Sequence, residues 1–202
     1  MQANEKKIDK KDACPQCLRP RAHCFCTKAM GFKNSLLVLI LQHPQERYKL
    51  LNSASLANAM LNNSILKVGL SWRNLSQALG AAADPKQWGV LYLKGQGGQG
   101  KAMEIFDSKK RLIAGPALKG VVVIDGSWKQ AKTLWWRNPW LLRLNRIMLN
   151  PQKASRRPQT KKEGLSTVEA IALALECLGE DPTIPSALIK NYEDFILAPA
   201  LI

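Results

Sequence analysis

The clearest strand signal in the chain is the run Gly120-Val-Val-Val-Ile-Asp125, which Gly126-Ser127-Trp128 follows directly. Its unbroken apolar character is typical of a strand buried on both faces of a parallel sheet. Ser127 has a side chain suited to cap a helix, which we expect to run to about Trp136. Open α/β sheets bind ligands at the carboxyl ends of their strands, so Asp125 is a candidate site residue. The alternative is that its carboxylate only caps the following helix.

Strand and helix patterns alternate on both sides of this run. Apolar runs predict strands at residues 35–41, 65–70, 88–93 and 146–149. Helical spacing or capping signals predict helices at residues 47–60, 72–79, 166–178 and 182–195. The third of these helices has a capping box, with Ser166 as the cap, Glu169 three positions later and Gly179 at its end. The alternation predicts an α/β fold with a mostly parallel sheet over residues 31–202.

The positive charge is large for a chain that, at 202 residues, suffices for one domain with a small appended module. Thirty Lys+Arg against 15 Asp+Glu give a formal net charge of +15. The segment from Lys129 to Lys162 has ten of these cations and no acidic residue, and tryptophans lie in or beside it at positions 128, 135, 136 and 140. Cationic side chains bind phosphates and aromatic faces stack on unpaired bases, so we interpret the segment as an RNA-binding surface. The alternative is a basic face that serves solubility.

The sequence contains no sign of a membrane or secretory protein. Residues 1–12 predict a flexible basic N-terminus without the apolar region of an ordinary secretory signal. The longest aliphatic run, residues 36–41, is too short to span a bilayer. We therefore expect a cytoplasmic protein that binds no membrane, and we predict no obligate protein partner.

Four of the five cysteines form two close pairs, Cys14 with Cys17 and Cys24 with Cys26. In a cytosolic chain this spacing is more typical of metal binding than of disulfides. Four thiolates satisfy tetrahedral Zn²⁺ and leave no position for water, so we predict a structural zinc knuckle over residues 13–30. The alternatives are free or transiently oxidised thiols, or His23 in place of one cysteine. We interpret Cys177 as a packing residue on an apolar helix face.

A glycine-rich segment imitates two nucleotide-binding motifs. Residues 95–100 match G-x-G-x-x-G, and residues 95–101 match G-x-x-x-x-G-K, directly after a predicted strand. A P-loop needs Ser or Thr after the lysine, where this chain has Ala102. A dinucleotide site needs an apolar helix after the third glycine, and residues 101–111 do not predict one. We interpret the segment as a surface loop, with a role in positioning a substrate as the alternative.

Three motifs and the cysteine cluster occur in an order that is itself informative. The motifs are Leu41-Gln-His-Pro-Gln-Glu46, Asp125-Gly-Ser-Trp128 and Gly164-Leu-Ser-Thr-Val-Glu-Ala170. They resemble the L-x-H-P-x-E, D-G-T-W and G-L-S-T-x-E-A motifs of the DTW-domain family, which are tRNA-uridine aminocarboxypropyltransferases. The cysteines stand where that family has its N-terminal cysteines, and Asn52-Ser53-Ala54 stands where it has N-T-G. The resemblance extends from residue 14 to about residue 178.

This resemblance implies both a fold and a reaction. The implied fold is related to the SPOUT class of S-adenosylmethionine enzymes, an α/β sheet whose C-terminal part is threaded into a knot. The implied reaction transfers the 3-amino-3-carboxypropyl group of S-adenosylmethionine to N3 of a tRNA uridine and releases methylthioadenosine. The expected partner is tRNA, the co-substrate is S-adenosylmethionine, and zinc has a structural role.

The resemblance also implies roles for individual residues. Asp125 would accept the N3 proton or orient the uracil ring, and Trp128 would stack on a base or pack against the cofactor. The residues implied for the cofactor pocket are His43, Glu46, Gly126, Ser127, Asn150, Ser166, Thr167 and Glu169. The expected phosphate contacts are Arg47, Lys129, Lys132, Arg156, Arg157, Lys161 and Lys162. A packed histidine and a helix-capping glutamate are the alternative roles for His43 and Glu169.

Two other functions are compatible with the same sequence features. A SPOUT-type RNA methyltransferase would use the same cofactor and surface but release S-adenosylhomocysteine. A non-catalytic zinc-containing RNA-binding module would bind RNA without any turnover.

Overall fold

The computed structural model describes residues 11–15, 17, 19–21, 24–26, 31–50, 52–93, 101–114, 117–156 and 164–197. Within them the chain forms a seven-stranded sheet with helices on both faces. The strands are β1 (Leu37–Gln42), β2 (Ser64–Val68), β3 (Trp88–Leu93), β4 (Met103–Phe106), β5 (Leu112–Ile113), β6 (Gly120–Asp125) and β7 (Asn145–Leu149). The helices are α1 (Ser53–Met60), α2 (Leu75–Leu79), α3 (Trp128–Arg137), α4 (Thr167–Cys177) and α5 (Thr183–Tyr192).

The sheet is mostly parallel, which confirms the predicted fold class. Its strand order is β2-β1-β6-β3-β7-β4-β5, and the first five strands run parallel. The last two strands, β4 and β5, pair antiparallel at one edge and were not expected from the sequence. They are short, and the turn between them is held by Asp107, whose carboxylate accepts from the backbone of Lys109 and Arg111. Strands of this length give too little periodicity to be recognised.

Two apolar layers cover the sheet. Helices α1, α4 and α5 pack on one face, around Ile40, Val123 and Ile147. On the other face, α2 and the 3-10 turn Pro139–Arg143 pack around Leu39, Val122 and Val90. The connection after β1 therefore lies on one face, through α1, and the connection after β6 leads to the other face. These connections diverge between the adjacent strands β1 and β6, where open α/β sheets bind their ligands.

Local capping signals set the helix boundaries. Ser127 caps α3 and Ser166 with Glu169 forms a capping box for α4, as predicted, and Gln130 completes a second capping box with Ser127 that was not predicted. The predicted helix at residues 47–60 is shorter than expected, because α1 begins only at Ser53. Asn52 caps it by accepting from the backbone of Ser55, while its amide holds the preceding turn by donating to the Arg47 carbonyl.

The cysteine segment packs onto the main core. Phe25 is buried, and its ring stacks on Phe195 with 6.1 Å between the ring centroids. Arg19 is buried as well and donates to the Leu50 carbonyl at 2.9 Å. None of the helices in the described ranges combines the length and the apolar character that crossing a membrane requires.

Candidate functional site

Three side chains from distant parts of the chain meet at the divergence between β1 and β6. Gln42 and Asp125 end these two strands and are register partners in the sheet. The Gln42 amide Nε2 donates to Asp125 Oδ2 at 2.8 Å, and the Thr167 hydroxyl donates to Asp125 Oδ1. Asp125 is 8% exposed and Gln42 is fully buried. Donors on both oxygens stabilise the ionised carboxylate and fix its orientation.

The first residues of α1 and its cap also lie at this site. Gln42 Nε2 also lies 3.1 Å from Asn52 Oδ1, so one amide joins the cap of α1 to Asp125. Ser53 accepts from the backbone N–H of Val168 at 3.4 Å and joins α1 to the first turn of α4. The Oε1 atom of Gln42 is buried and has no hydrogen-bond partner among the described residues. A ligand with a donor group would satisfy this acceptor.

The loops after β1 and β6 are joined above the carboxylate. Gly126 allows this approach, because a Cβ there would lie 2.9 Å from Gln130 Cβ. The Gln130 amide donates to the Gln45 side chain at 3.1 Å, which joins the two loops. His43 accepts from the backbone N–H of Gln45 through Nδ1 at 3.3 Å, so the neutral ring carries its proton on Nε2. His43 therefore holds the turn after β1, and its role in the cofactor pocket stays a prediction.

The structure places the remaining residues implied for the cofactor pocket as follows. Ser127 and Ser166 use their hydroxyls as helix caps, and Glu46 forms an ion pair with Lys49 at 2.9 Å. Asn150 is buried at the end of β7, which is separated from β6 by β3. Two strand spacings place it about 10 Å from the end of β6. The glycine-rich segment 95–100 lies outside the described residues.

Glu169 joins the segment after β7 to the helix that carries Thr167. Its Oε2 accepts from the Ser166 backbone N–H at 2.8 Å, the Ser166 hydroxyl at 2.6 Å and the Ser155 hydroxyl at 2.7 Å. Its Oε1 accepts from the Arg156 backbone N–H at 2.7 Å. The residue is 4% exposed, so nearly the whole carboxylate is occupied by these donors. The capping role considered for Glu169 is confirmed, and the contacts with Ser155 and Arg156 add to it.

We expect Glu169→Gln to destabilise the protein by about 1–3 kcal/mol. The new amide NH₂ would face backbone or hydroxyl donors at a buried position, which leaves at least one donor without an acceptor. Chemical denaturation measures the effect. Glu176→Gln is the matched control, because Glu176 is exposed on the same helix, and it should change stability by less than about 0.5 kcal/mol. Equal stability of the two variants would contradict the assigned role.

The tryptophans of the basic segment divide between core and surface. Trp140 is buried, and Trp135 packs edge-to-face on Tyr92 with 5.0 Å between the ring centroids. Burial raises the pKa of Tyr92 to about 12, against the opposing effect of the Arg146 charge, so this phenol is neutral at physiological pH. Trp128 and Trp136 are exposed on the outer side of α3.

The cations predicted to contact phosphate are placed as follows. Lys129 and Lys132 are exposed on α3. Arg47 is exposed beside the first loop, and its guanidinium lies 5.4 Å from the centroid of the Tyr48 ring. Arg156 is exposed, and its Nε donates to Glu193. Arg157, Lys161 and Lys162 lie outside the described residues.

The four N-terminal cysteines converge on one point. All four sulfur atoms lie within 4.8 Å of one another, and the separation is 3.5 Å between Cys24 and Cys14 and 3.8 Å between Cys17 and Cys24. Burial raises the pKa of Cys17 and Cys26, so their thiols stay protonated unless a metal ion displaces the protons. This arrangement can hold one metal ion. His23, considered as a replacement ligand, lies outside the described residues.

Sequence reasoning missed Gln42, Ser53 and Ser155 as parts of the site. Gln42 gave a usable signal, because it is the single polar residue at the end of an aliphatic strand. Ser155 gave no such signal, because its role depends on the hydrogen bond to Glu169, which forms only in the folded chain. Ser53 lies beside the Asn cap, in the block that resembles N-T-G.

Sequence comparisons with known proteins give matches that agree with one another. The sequence model of the DTW domain family matches residues 11–198. The chain is 26% identical to a Macaca fascicularis protein named tRNA-uridine aminocarboxypropyltransferase 2, over 89% of this chain and 61% of that protein. Proteins of the same name from Mus musculus and Drosophila melanogaster are 25% and 27% identical, over 92% and 90% of this chain and 62% and 72% of those proteins. The chain thus spans about three fifths of the first two relatives. No solved structure gives a significant match.

Proposed function

The chain belongs to the DTW domain family, and from this premise we propose that it transfers the 3-amino-3-carboxypropyl group of S-adenosylmethionine to N3 of a tRNA uridine. Methylthioadenosine is the second product. The observation that carries the proposal is the carboxylate of Asp125, held in one orientation by Gln42 and Thr167 where β1 and β6 diverge. The names of the relatives support the same reaction class.

The polar groups around Asp125 fit the donor substrate. The aminocarboxypropyl part of S-adenosylmethionine carries an ammonium group. This group can donate a hydrogen bond to the buried Gln42 Oε1, which has no partner among the described residues. The Asp125 carboxylate is a suitable neighbour for a cationic sulfonium. Across the end of β3, Asn150 supplies a buried amide that can hydrogen-bond a ribose or base edge. We therefore assign S-adenosylmethionine to the space over the carboxyl ends of β1, β6 and β7.

The protein orients the two substrates and supplies one basic group for the reaction. The bound donor supplies an activated carbon with a neutral thioether as leaving group. The imide nitrogen of uridine is a poor nucleophile until its proton is removed. The Asp125 carboxylate is held by Gln42 and Thr167 at the carboxyl end of β6, and an ionised carboxylate can accept a proton. Asp125 can therefore accept the N3 proton or orient the ring, while Gln42 and Thr167 fix its direction.

We propose that the metal held by the cysteines is Zn²⁺. A tetrahedral ion with Zn–S bonds of about 2.3 Å needs sulfur separations of about 3.8 Å. The observed separations of 3.5 Å and 3.8 Å fit this requirement. Four thiolate ligands leave no open position, so the ion would stabilise residues 13–30 and take no part in the reaction.

The same family resemblance supports proposals about the path of the chain and about where the protein acts. We propose that the C-terminal part follows the knotted path of SPOUT enzymes. The support is that α4, which follows β7 in the sequence, places the Thr167 hydroxyl on Asp125 at the end of β6, and β3 separates β6 from β7. We also propose that residues 31–202 form the catalytic domain and that the protein acts on tRNA in the cytoplasm.

Nucleoside analysis tests the proposed function directly. Unmodified tRNA is incubated with the protein and S-adenosylmethionine, and the digested nucleosides and the small-molecule product are identified by mass spectrometry. We expect a uridine heavier by one aminocarboxypropyl group, together with methylthioadenosine. A methylated nucleoside with S-adenosylhomocysteine would indicate the methyltransferase alternative instead. Binding without any product would indicate the non-catalytic RNA-binding module.

Binding to tRNA should weaken steeply as salt increases. Four of the predicted phosphate contacts are exposed within the described residues, Arg47, Lys129, Lys132 and Arg156, and three more are predicted outside them. Releasing counterions from four to seven phosphates gives a slope of log affinity against log salt of about −3 to −6. Titrations at several salt concentrations measure this slope. An affinity that does not change between low and physiological salt would contradict the phosphate-binding assignment.

A further inference from the structure

The outer side of α3 presents an aromatic ring between cations. Trp136 is 73% exposed, which is unusual for a residue that normally buries most of its surface. Lys132 lies one turn before it and Lys129 two turns before it, on the same side of the helix. Trp128 is 50% exposed at the beginning of the helix. We call these four residues the tryptophan–lysine face.

The inner side of the same helix is fixed to the core. Leu134 is fully buried, and Trp135 packs on Tyr92 at the end of β3. The capping box of Ser127 and Gln130 fixes the first turn, directly after Asp125. Trp136 is therefore exposed on a helix whose opposite side is fixed to the core. A rise of 1.5 Å per residue places Trp136 about 12 Å along the helix axis from Trp128.

We infer that the tryptophan–lysine face binds unpaired nucleotides of the tRNA loop beside the target uridine, with Trp136 as a stacking platform. This inference rests on the proposed function for the identity of the RNA. Aromatic rings stack on any base, and neighbouring lysines contact the phosphates between the bases. The direct connection of α3 to Asp125 places this face next to the reaction site.

The charge of the surface favours RNA over a second copy of this chain. The whole segment from Lys129 to Lys162 is free of acidic residues, and the chain carries a net charge of +15. Two such faces placed together would bring like charges into contact, which opposes association. A polyanion is the complementary partner for exposed aromatic rings in this setting.

Binding of an unmodified tRNA transcript by five variants tests the inference. We expect Trp136→Ala to weaken binding about 5- to 150-fold, the range for loss of one base–aromatic stacking contact. Trp136→Phe keeps a ring and should retain most of the affinity. Leu142→Ala is the matched control, because Leu142 is an exposed apolar residue close to α3 that has no ring to stack, and it should bind like the unmodified chain.

The salt dependence separates stacking from charge. The salt slope of Trp136→Ala should stay unchanged, whereas Lys132→Ala should reduce its magnitude by about 1. Lys190→Ala, which removes an exposed lysine from α5, should leave the slope unchanged. Thermal unfolding of each variant checks that the fold is kept.

Three outcomes would overturn the inference. The first is full affinity of Trp136→Ala, and the second is equal loss by Trp136→Ala and Leu142→Ala. The third is a change of oligomeric state by Trp136→Ala in sedimentation, which would identify a second copy as the occupant. Failure of the proposed function is distinguishable, because it would appear as absence of aminocarboxypropyl-uridine with the unmodified chain while Trp136→Ala still weakened tRNA binding.

Discussion

Asp125→Asn should reduce single-turnover transfer by about 10²- to 10⁴-fold, the usual contribution of a general base. The variant should fold, because the new amide can still accept from Thr167 on one side. On the other side, Gln42 can turn its amide so that Oε1 accepts from the new NH₂ group, at the cost of its hydrogen bond to Asn52 Oδ1. What the variant loses is the negative charge and the proton-accepting oxygen beside N3.

A capping role for Asp125 predicts a different result. Asn caps a helix about as well as Asp, so a capping residue would tolerate this change. The structure assigns the cap of α3 to Ser127. Asp84→Asn is the matched control, because Asp84 caps the turn before β3 at the amino-terminal end of the parallel strands, opposite the end that carries Asp125, and it should leave transfer unchanged.

Higher pH should partly rescue Asp125→Asn. As the pH rises toward the pKa of uridine N3, the nucleophile ionises without help from the protein. Transfer rates at several pH values, with the affinity for S-adenosylmethionine measured in parallel, separate this effect from a loss of cofactor binding. Turnover at neutral pH equal to that of the unmodified chain would remove proton transfer at Asp125 from the mechanism.

Cys17→Ser should abolish metal binding and unfold the N-terminal segment. We expect about one Zn²⁺ per chain in the unmodified protein and close to none in the variant. Structural zinc in isolated zinc-finger peptides contributes about 10–16 kcal/mol of apparent binding energy. The described part of this segment also packs through Phe25 onto the main core, so we expect a smaller loss of stability, on the order of 5 kcal/mol.

A matched cysteine outside the cluster provides the control. Cys177 is half-buried on α4, and burial raises the pKa of its thiol, so it stays protonated. Cys177→Ser should keep the metal and change stability by about 1 kcal/mol or less. Elemental analysis and denaturation of both variants measure the two effects. A folded and active unmodified protein without metal would contradict the zinc assignment.

The elements of the fold that local signals encode were predicted well. The aliphatic runs of β1, β3 and β6, the Ser127 cap of α3 and the capping box of α4 were all predicted close to their observed positions. These signals act between residues a few positions apart, so the sequence contains the whole interaction. The start of α1 was placed too early, because Asn52 ends the preceding turn with its own side chain.

Candidate residues in the site were found mainly through the family resemblance, and their arrangement came from the fold. The resemblance singled out Asp125, Thr167 and Glu169 without indicating which of them touch. In the structure Thr167 donates to Asp125, whereas Glu169 holds Ser155 and Arg156. Helical or strand periodicity does not show that Thr167 contacts Asp125 whereas Glu169 contacts Ser155 and Arg156.

The sequence alone determined the fold class, the basic character of the segment after β6, and the clustering of four cysteines within thirteen residues. Each depends on composition or on short spacing. Only the tertiary structure decided that Gln42 and Asp125 are register partners and that Thr167 reaches them from 42 residues away. It also decided which tryptophans are buried and which are exposed. The physical reason is that strand register and helix docking arise from packing over the whole chain, which local patterns do not encode.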